Sequence, residues 1–158
     1  HTTFVDAQAS AFLWWGLIYS LAPGNEHDEH VRQKHRDEGL VLVCAPADQV
    51  GEYQTFIERT KKFYVFSQYS KFIQPGYKRV DLDAVSGVYA SAYVGEDDNR
   101  LIAVVINDSE TSKDVSIQVD AGYTFVSSYQ TDTTRNCETI GTGVLLPPQS
   151  VRTIVFEK

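Results

Sequence analysis

No apolar run in this sequence approaches the ~20 residues that a helical membrane span requires. The best candidate, "AFLWWGLIYSLA" from Ala11 to Ala22, is too short. A soluble chain with no membrane partner is therefore expected. Basic residues are scarce relative to acids: 14 Lys and Arg against 21 Asp and Glu give a net charge of -7. That balance argues against nucleic acid as a partner, because phosphates demand a basic face. Cysteine is almost missing. Cys44 and Cys137 can pair with each other, pair elsewhere or remain thiols, and their spacing does not choose. The chain starts at His1 with neither a Met nor a charged-then-apolar leader, so any secretion signal is expected to have been removed or to belong to a segment upstream.

What is present suffices for a core. At 158 residues and 42% hydrophobic, one domain of ordinary size can fold without covalent staples. Aromatic residues make up 12%, a load that suits β-structure or a sugar-stacking surface. The triplet Asn107-Asp108-Ser109 has the form of an N-glycan acceptor and points to the outside of the cell.

The pattern changes along the chain. Ala9 to Leu13 followed by Trp14 and Trp15 form an apolar run without polar alternation, which predicts a strand buried on both faces, with a buried helix as the competing reading. Ala22 to Gly39 is dense in charge and opens on Pro23-Gly24, predicting a surface loop or a short exposed helix. "LVLVC" (Leu40 to Cys44) and "YQTFIE" (Tyr53 to Glu58), joined by "APADQVGE", read as a small hairpin. A helix is predicted next, from Thr60 as N-cap through Phe63, Phe66, Tyr69 and Ile73, ended by Pro75. Beyond Asp83, short apolar runs at Val88–Val94, Leu101–Asn107, Val115–Val119, Tyr123–Gln130 and Ser150–Glu157 indicate an antiparallel sandwich. A single buried strand and one helix cannot close a core, since the strand keeps both edges unpaired. The front of the chain is thus expected to be part of something larger.

Three stretches carry a resemblance: "SAFLWWGLIYS", "KKFYVFSQYSKFIQPGYKRVD" followed by "VYASAYV", and "LPPQSVRTIVF". Together they resemble the C-terminal part of family 30 glycoside hydrolases, which include xylanases and glucuronoxylanases. The resemblance implies a mixed fold: the last strand and helix of a (β/α)8 TIM barrel, then an antiparallel β-sandwich side domain. It places residues 1–74 at the barrel's end, with Ala11 to Trp15 as last strand, a decorated loop at 22–59 and Thr60 to Ile73 as last helix, and it gives residues 75–158 to the sandwich. The helix face is then expected to bury itself on barrel elements outside this chain.

The same resemblance implies chemistry. A retaining glycosidase needs two carboxyl groups ~5 Å apart, and the family carries both glutamates on earlier barrel strands, upstream of His1. No residue of this chain is expected to be catalytic, and the segment alone is expected to be inactive. The acids Glu26, Asp28, Glu29, Asp37 and Glu38 read as a solvated face. Substrate contact is assigned to Trp14, Trp15 and Tyr19 at the C-terminal end of the last strand, where barrel enzymes build their sites. An indole can cover the apolar face of a pyranose. Alternation allows only one tryptophan to point inward; Trp14 is the choice, with Trp15 packed under a helix. In glucuronoxylan-specific members two arginines follow the tryptophan pair. Ile18 and Tyr19 stand here instead, so a glucuronate grip would fall to Arg32, Lys34, Arg36 or upstream residues.

His27, His30 and His35 among acids match no zinc spacing, so neither metal nor cofactor is expected. Tyr89, Tyr93, Tyr123 and Tyr129 read as cross-strand packing before they read as a second sugar site. The partners expected are a polysaccharide, xylan first, and the missing N-terminal barrel segment. The protein is expected to be secreted. The competing readings are a free-standing carbohydrate-binding β-sandwich module, and a family member acting on β-1,6-galactan, β-1,6-glucan or a glucosylceramide.

Overall fold

A computed structural model describes residues 1–22, 24–44, 56–83, 86–120 and 122–158. The chain divides into two compact units, Phe12–Tyr64 and His1–Ala11 with Val65–Lys158.

In the Phe12–Tyr64 unit, strand β1 (Ile18–Ser20), helix α1 (Glu29–Arg36), β2 (Val41–Cys44) and β3 (Phe56–Arg59) follow in order. β2 lies centrally, parallel to β1 and antiparallel to β3. The hairpin partners expected from sequence do pair; the connection 45–52 and residues 53–55 lie outside the described residues. Asp28 caps α1, its Oδ1 accepting from the amides of His30 (2.9 Å) and Val31 (3.2 Å). Glu29 in the first turn and Lys34, His35 and Arg36 in the last complement the helix dipole. A small core of Leu21, Leu42 and Cys44 closes with Tyr19 and Val31.

The strand expected over Ala11 to Trp15 is not there; it runs over Ile18–Ser20. A strand exists where a ladder partner exists, and β2 offers its edge from Ile18↔Val41 to Ser20↔Val43. Upstream the ladder thins to single bonds from Leu40 N to Gly16 O and Val41 N to Leu17 O. Of the apolar run from Ala11 to Trp15 only Trp14 is partly buried among the described residues, and Leu13 is 92% exposed.

Helix α2 (Lys61–Ser70) starts in this unit and continues into the other. Thr60 is its N-cap as expected, Oγ1 accepting from Phe63 N at 3.4 Å. The helix stops before Pro75, and a turn follows in which Tyr77 N donates to Gln74 O (3.1 Å). Pro75 and Gly76, the latter at φ 91°, occupy the central positions that a type II turn reserves for them.

The second unit is a six-stranded antiparallel sheet in the order β4-β5-β6-β11-β8-β9, comprising β4 (Lys78–Val80), β5 (Tyr89–Val94), β6 (Arg100–Asn107), β8 (Thr124–Thr131), β9 (Glu138–Ile140) and β11 (Ser150–Glu157). A pair of short strands, β7 (Lys113–Asp114) and β10 (Leu145–Leu146), forms a second sheet. These antiparallel sheets accord with the expected sandwich. One face of the large sheet carries Ile102, Val104, Val151 and Val155, packed with Phe72, Tyr69 and Ile73 from α2 and the residues after it. The other carries Val105, packed with Val115, Ile117 and Leu146.

Two expectations are corrected here. The helix face does not wait for a barrel along its whole length. Phe72 packs on the sheet, and Gln68, wholly buried, donates from Nε2 to Thr131 Oγ1 (2.8 Å) while Thr153 Oγ1 donates to its oxygens (2.6 Å). Val115–Val119 is not a strand: only Val115 continues the small sheet, its amide bonding Val144 O at 2.9 Å.

Candidate functional site

The residues assigned to sugar contact converge where β1 begins. Trp14 is half-buried, its Nε1 donating to Glu38 O at 2.9 Å just beyond α1. The Lys62 ammonium sits 5.7 Å from its ring centroid, and the Phe12 ring lies at 6.4 Å. Its indole N–H is therefore spent on the backbone, while Trp15 is 75% exposed and touches Tyr19 edge to face at 5.8 Å. The packing of Trp15 under a helix is not seen within this chain.

Tyr19 is the most constrained of the three. Its ring lies against His35 at 5.7 Å. Gly16 makes the close approach possible, since a Cβ there would stand 2.7 Å from Tyr19 Cε2 and 2.6 Å from Glu38 O. Desolvation, then the charge and hydrogen bond of the Glu38 carboxylate, raise the Tyr19 phenol above its ordinary value. Tyr19 thus lies packed between Trp15 and His35, with the Glu38 carboxylate near its phenol.

The two arginines of this loop expected to supply a glucuronate grip are already paired. Glu58 receives Arg32 through Nε (3.1 Å) and Nη2 (2.6 Å) and Arg36 through Nε (2.6 Å). Glu29 pairs with Arg36 and, at 3.3 Å, with Arg32. Burial opposes the Glu58 charge, yet the bonds from Arg36 and Arg32 hold its carboxyl below the usual value. A carboxylate so held is unsuited to donate a proton.

In the sandwich unit the four tyrosines form no common surface. Tyr93 is buried, Tyr129 packs on Phe72 at 4.6 Å, Tyr123 donates to Asp98 Oδ1 (2.8 Å), and Tyr89 contacts His1 at 5.1 Å. The sequon is closed as well. Asn107 is wholly buried, and its Nδ2, the atom a glycan would need, donates to Thr111 O (2.9 Å), Leu146 O (3.2 Å) and Pro147 O (2.8 Å). Cys44 and Cys137 are not joined in a disulfide, and the Cys44 thiol donates to Ala22 O at 3.5 Å.

A polar network that sequence reasoning missed runs beneath the small sheet. Arg152, 6% exposed, donates to Gln130 Oε1 (2.6 and 3.1 Å), Leu145 O (2.6 Å) and Gly143 O. Gln130 Nε2 donates in turn to Asp132 Oδ2 (2.6 Å), which also takes Arg135 Nη1 (2.7 Å). Desolvation opposes the Asp132 charge, but the Gln130, Arg135 and Thr134 donors outweigh it and keep the carboxyl far below the usual range. An Arg in the middle of "SVRTIVFE" gave no sign of this beyond breaking the apolar run.

No family model matches the chain. The chain is similar along its whole length to the glucuronoxylanase XynC of Bacillus subtilis (strain 168), at 27% identity over 170 residues, and spans 33% of that relative's length. Among solved structures, the family 30 subfamily 8 xylanase Xyn30A from Clostridium acetobutylicum is 30% identical over 90% of this chain and 42% of its own, with a TM-score of 0.57. A GH30 endoxylanase from Clostridium papyrosolvens C71 is 36% identical over 63% of this chain and 28% of its own, with a TM-score of 0.55. The chain is thus a homologue of family 30 glycoside hydrolases, matching their C-terminal part.

Proposed function

We propose that the chain is the C-terminal segment of a secreted, retaining β-glycoside hydrolase that cleaves a plant or fungal wall polysaccharide, with xylan as the first substrate. The end-to-end match to one third of a glucuronoxylanase carries this reading. Exposed apolar side chains of the Phe12–Tyr64 unit add support: Leu13, Trp15, Leu17, Ile18 and Ile57 are each more than half exposed, and large apolar groups left in water in such number suit an interface. In this reading β1 and α2 complete a TIM barrel built from the remaining polypeptide, and the sandwich braces it.

Trp14 and Trp15 form one wall of the sugar site, and Tyr19 holds that wall in place. The two catalytic carboxyl groups lie on the remaining polypeptide, so this segment alone is inactive. With Arg32 and Arg36 closed on Glu58, cleavage is not keyed by this loop to a glucuronate side group.

The test pairs this chain with a polypeptide supplying the other two thirds of the relatives' length. Release of reducing ends from xylan, with the product anomer read by NMR, is expected only from the pair and with retention. Hydrolysis by the pure chain, or a folded pair inert on xylan, would overturn the reading. Activity of that pair on β-1,6-galactan or β-1,6-glucan would replace the substrate.

A further inference from the structure

Helix α2 starts with its charge the wrong way round. Its first turn holds Lys61 and Lys62 and no acid, although cations are disfavoured at a helix N-terminus. Lys62 turns its charge to the surroundings of Trp14 instead. Its Nζ donates to Asp37 O, just beyond α1, and stands 5.7 Å from the Trp14 ring centroid, within reach of a cation–π contact. The next carbonyl, Glu38 O, takes the indole N–H at 2.9 Å. One ammonium thus ties the ring, and the turn that holds the ring's edge, to the first turn of α2. That turn is anchored in its own right, because Arg32 and Arg36 of α1 each bind Glu58 of β3 at 2.6 Å. All of these residues lie within the Phe12–Tyr64 unit.

We propose that Lys62 is a positioning residue for the sugar wall: with Glu38 O it holds the Trp14 indole in one orientation before substrate arrives. This rests on the reading above, in which Trp14 contacts sugar. The ammonium sits over one face of the ring, so a pyranose stacks on the other. A side chain that must be ordered during binding lowers affinity about three- to tenfold, and a ring fixed beforehand avoids that loss. The role of Lys62 is orientation rather than capture of a charged branch, since its ammonium is already shared between Asp37 O and the indole. Its effect is therefore expected on neutral and charged xylan alike.

Two readouts test this. The chain has two tryptophans, so NMR spectra of its indole N–H groups, assigned with Trp15→Ala, read Trp14 directly and without sugar. Lys62→Met keeps the length of the stem and removes the charge. It is expected to shift the Trp14 resonance and speed its exchange with water, whereas Lys62→Arg, which keeps a cation and a donor, is expected to stay near the parent. The Met variant should melt no more than about 2 °C below the parent, because a cation has left the helix start. In the reconstituted pair, on xylo-oligosaccharides without charged branches, Lys62→Met should raise KM about three- to tenfold with kcat within about twofold, and Lys62→Arg should restore KM. Trp14→Ala should raise KM at least as far.

A Trp14 resonance unmoved by Lys62→Met, or moved equally by the Met and Arg variants, would overturn the proposal. So would a loss confined to kcat. If Trp14→Ala raises KM and Lys62→Met does not, the proposal falls and the sugar wall stands. If the pair is active and neither substitution changes KM, Trp14 is no part of the wall, and its assignment to sugar and the proposal fall together. An inert pair overturns the reading above, and the sugar-free spectrum alone then supports or overturns the hold of Lys62 on the indole.

Discussion

The two units of this chain treat their apolar and polar groups in opposite ways. The sandwich unit buries Ile102, Ala103, Val104, Val105 and Val155 almost completely, and it places the polar groups of Asn107, Gln130, Arg152 and Thr153 among partners. Among the described residues the Phe12–Tyr64 unit has a small core cluster of Leu21, Leu42 and Cys44 and wears Leu13 and Trp15 on its surface. Hydrophobic burial scales with the area removed from water. The sandwich unit therefore has the means to fold by itself, while the smaller unit leaves large apolar side chains exposed among its described residues. The same residue types thus signal core in one place and interface in the other.

The largest expected effect lies in the sandwich. Arg152→Met keeps the volume and the apolar stem but leaves Gln130 Oε1 and the carbonyls of Gly143 and Leu145 without their donor. Gln130 Oε1 is buried and the two carbonyls are partly so; acceptors stranded in this way cost about 1–3 kcal/mol each at full burial, and a total loss of about 3–5 kcal/mol is expected by urea denaturation. A loss below about 1 kcal/mol would mean that the network is wet and the sandwich less self-sufficient than argued.

Asn107→Asp comes next. It replaces a donor to three carbonyls with an acceptor, at about 2–4 kcal/mol. The wild-type chain secreted from a glycosylating host should carry no sugar at this position, which intact mass before and after glycosidase treatment will show. A homogeneous glycan on a folded chain would break the claim that Asn107 is closed.

Acid sharpens the comparison further. The Asp132 carboxyl is depressed in the folded state, so its contribution is fully present above the unfolded value of about pH 4 and disappears as pH falls toward the folded value. Unfolding midpoints in urea should therefore fall steeply below about pH 4. Asp132→Asn should flatten that limb and cost about 1–2 kcal/mol at neutral pH. An unchanged acid limb in the variant would move the acid sensitivity elsewhere.

How much of this was legible follows the same division. Tyr89–Val94, Arg100–Asn107 and Ser150–Glu157 form the strands that their β-branched and aromatic content announces, and the Pro75-Gly76 stop fell where its residues put it. Position along the chain fails where a partner decides. The apolar run at Ala11–Trp15 has the residues of a buried strand, but the ladder forms at Ile18–Ser20 because β2 is there to receive it. Val115–Val119 has the pattern and only one end of the pairing. Gln68 was hidden for a different reason: a wholly buried Gln within an apolar helix face is worth its desolvation only through Thr131 and Thr153, more than sixty residues away. The aromatics proposed to contact sugar stand out by residue type, whereas the packing of Tyr19 against His35 needed the fold.

The smallest effect on stability is expected at the most conspicuous residue. Trp15→Ala removes one of the two largest side chains in the sequence, yet at 75% exposure it gives up little burial within this chain. Its edge contact with Tyr19 is worth about 0.5–1 kcal/mol at most. In the isolated chain the urea midpoint should hardly move. In the reconstituted enzyme the same substitution should raise KM for xylan about tenfold or more if the indole stacks on sugar. If instead its role is to be covered by the rest of the barrel, the two polypeptides should associate more weakly while KM per assembled enzyme stays constant. Equal loss of stability in chain and pair would show Trp15 to be ordinary core, and would erase the distinction between the two units at the place where it is sharpest.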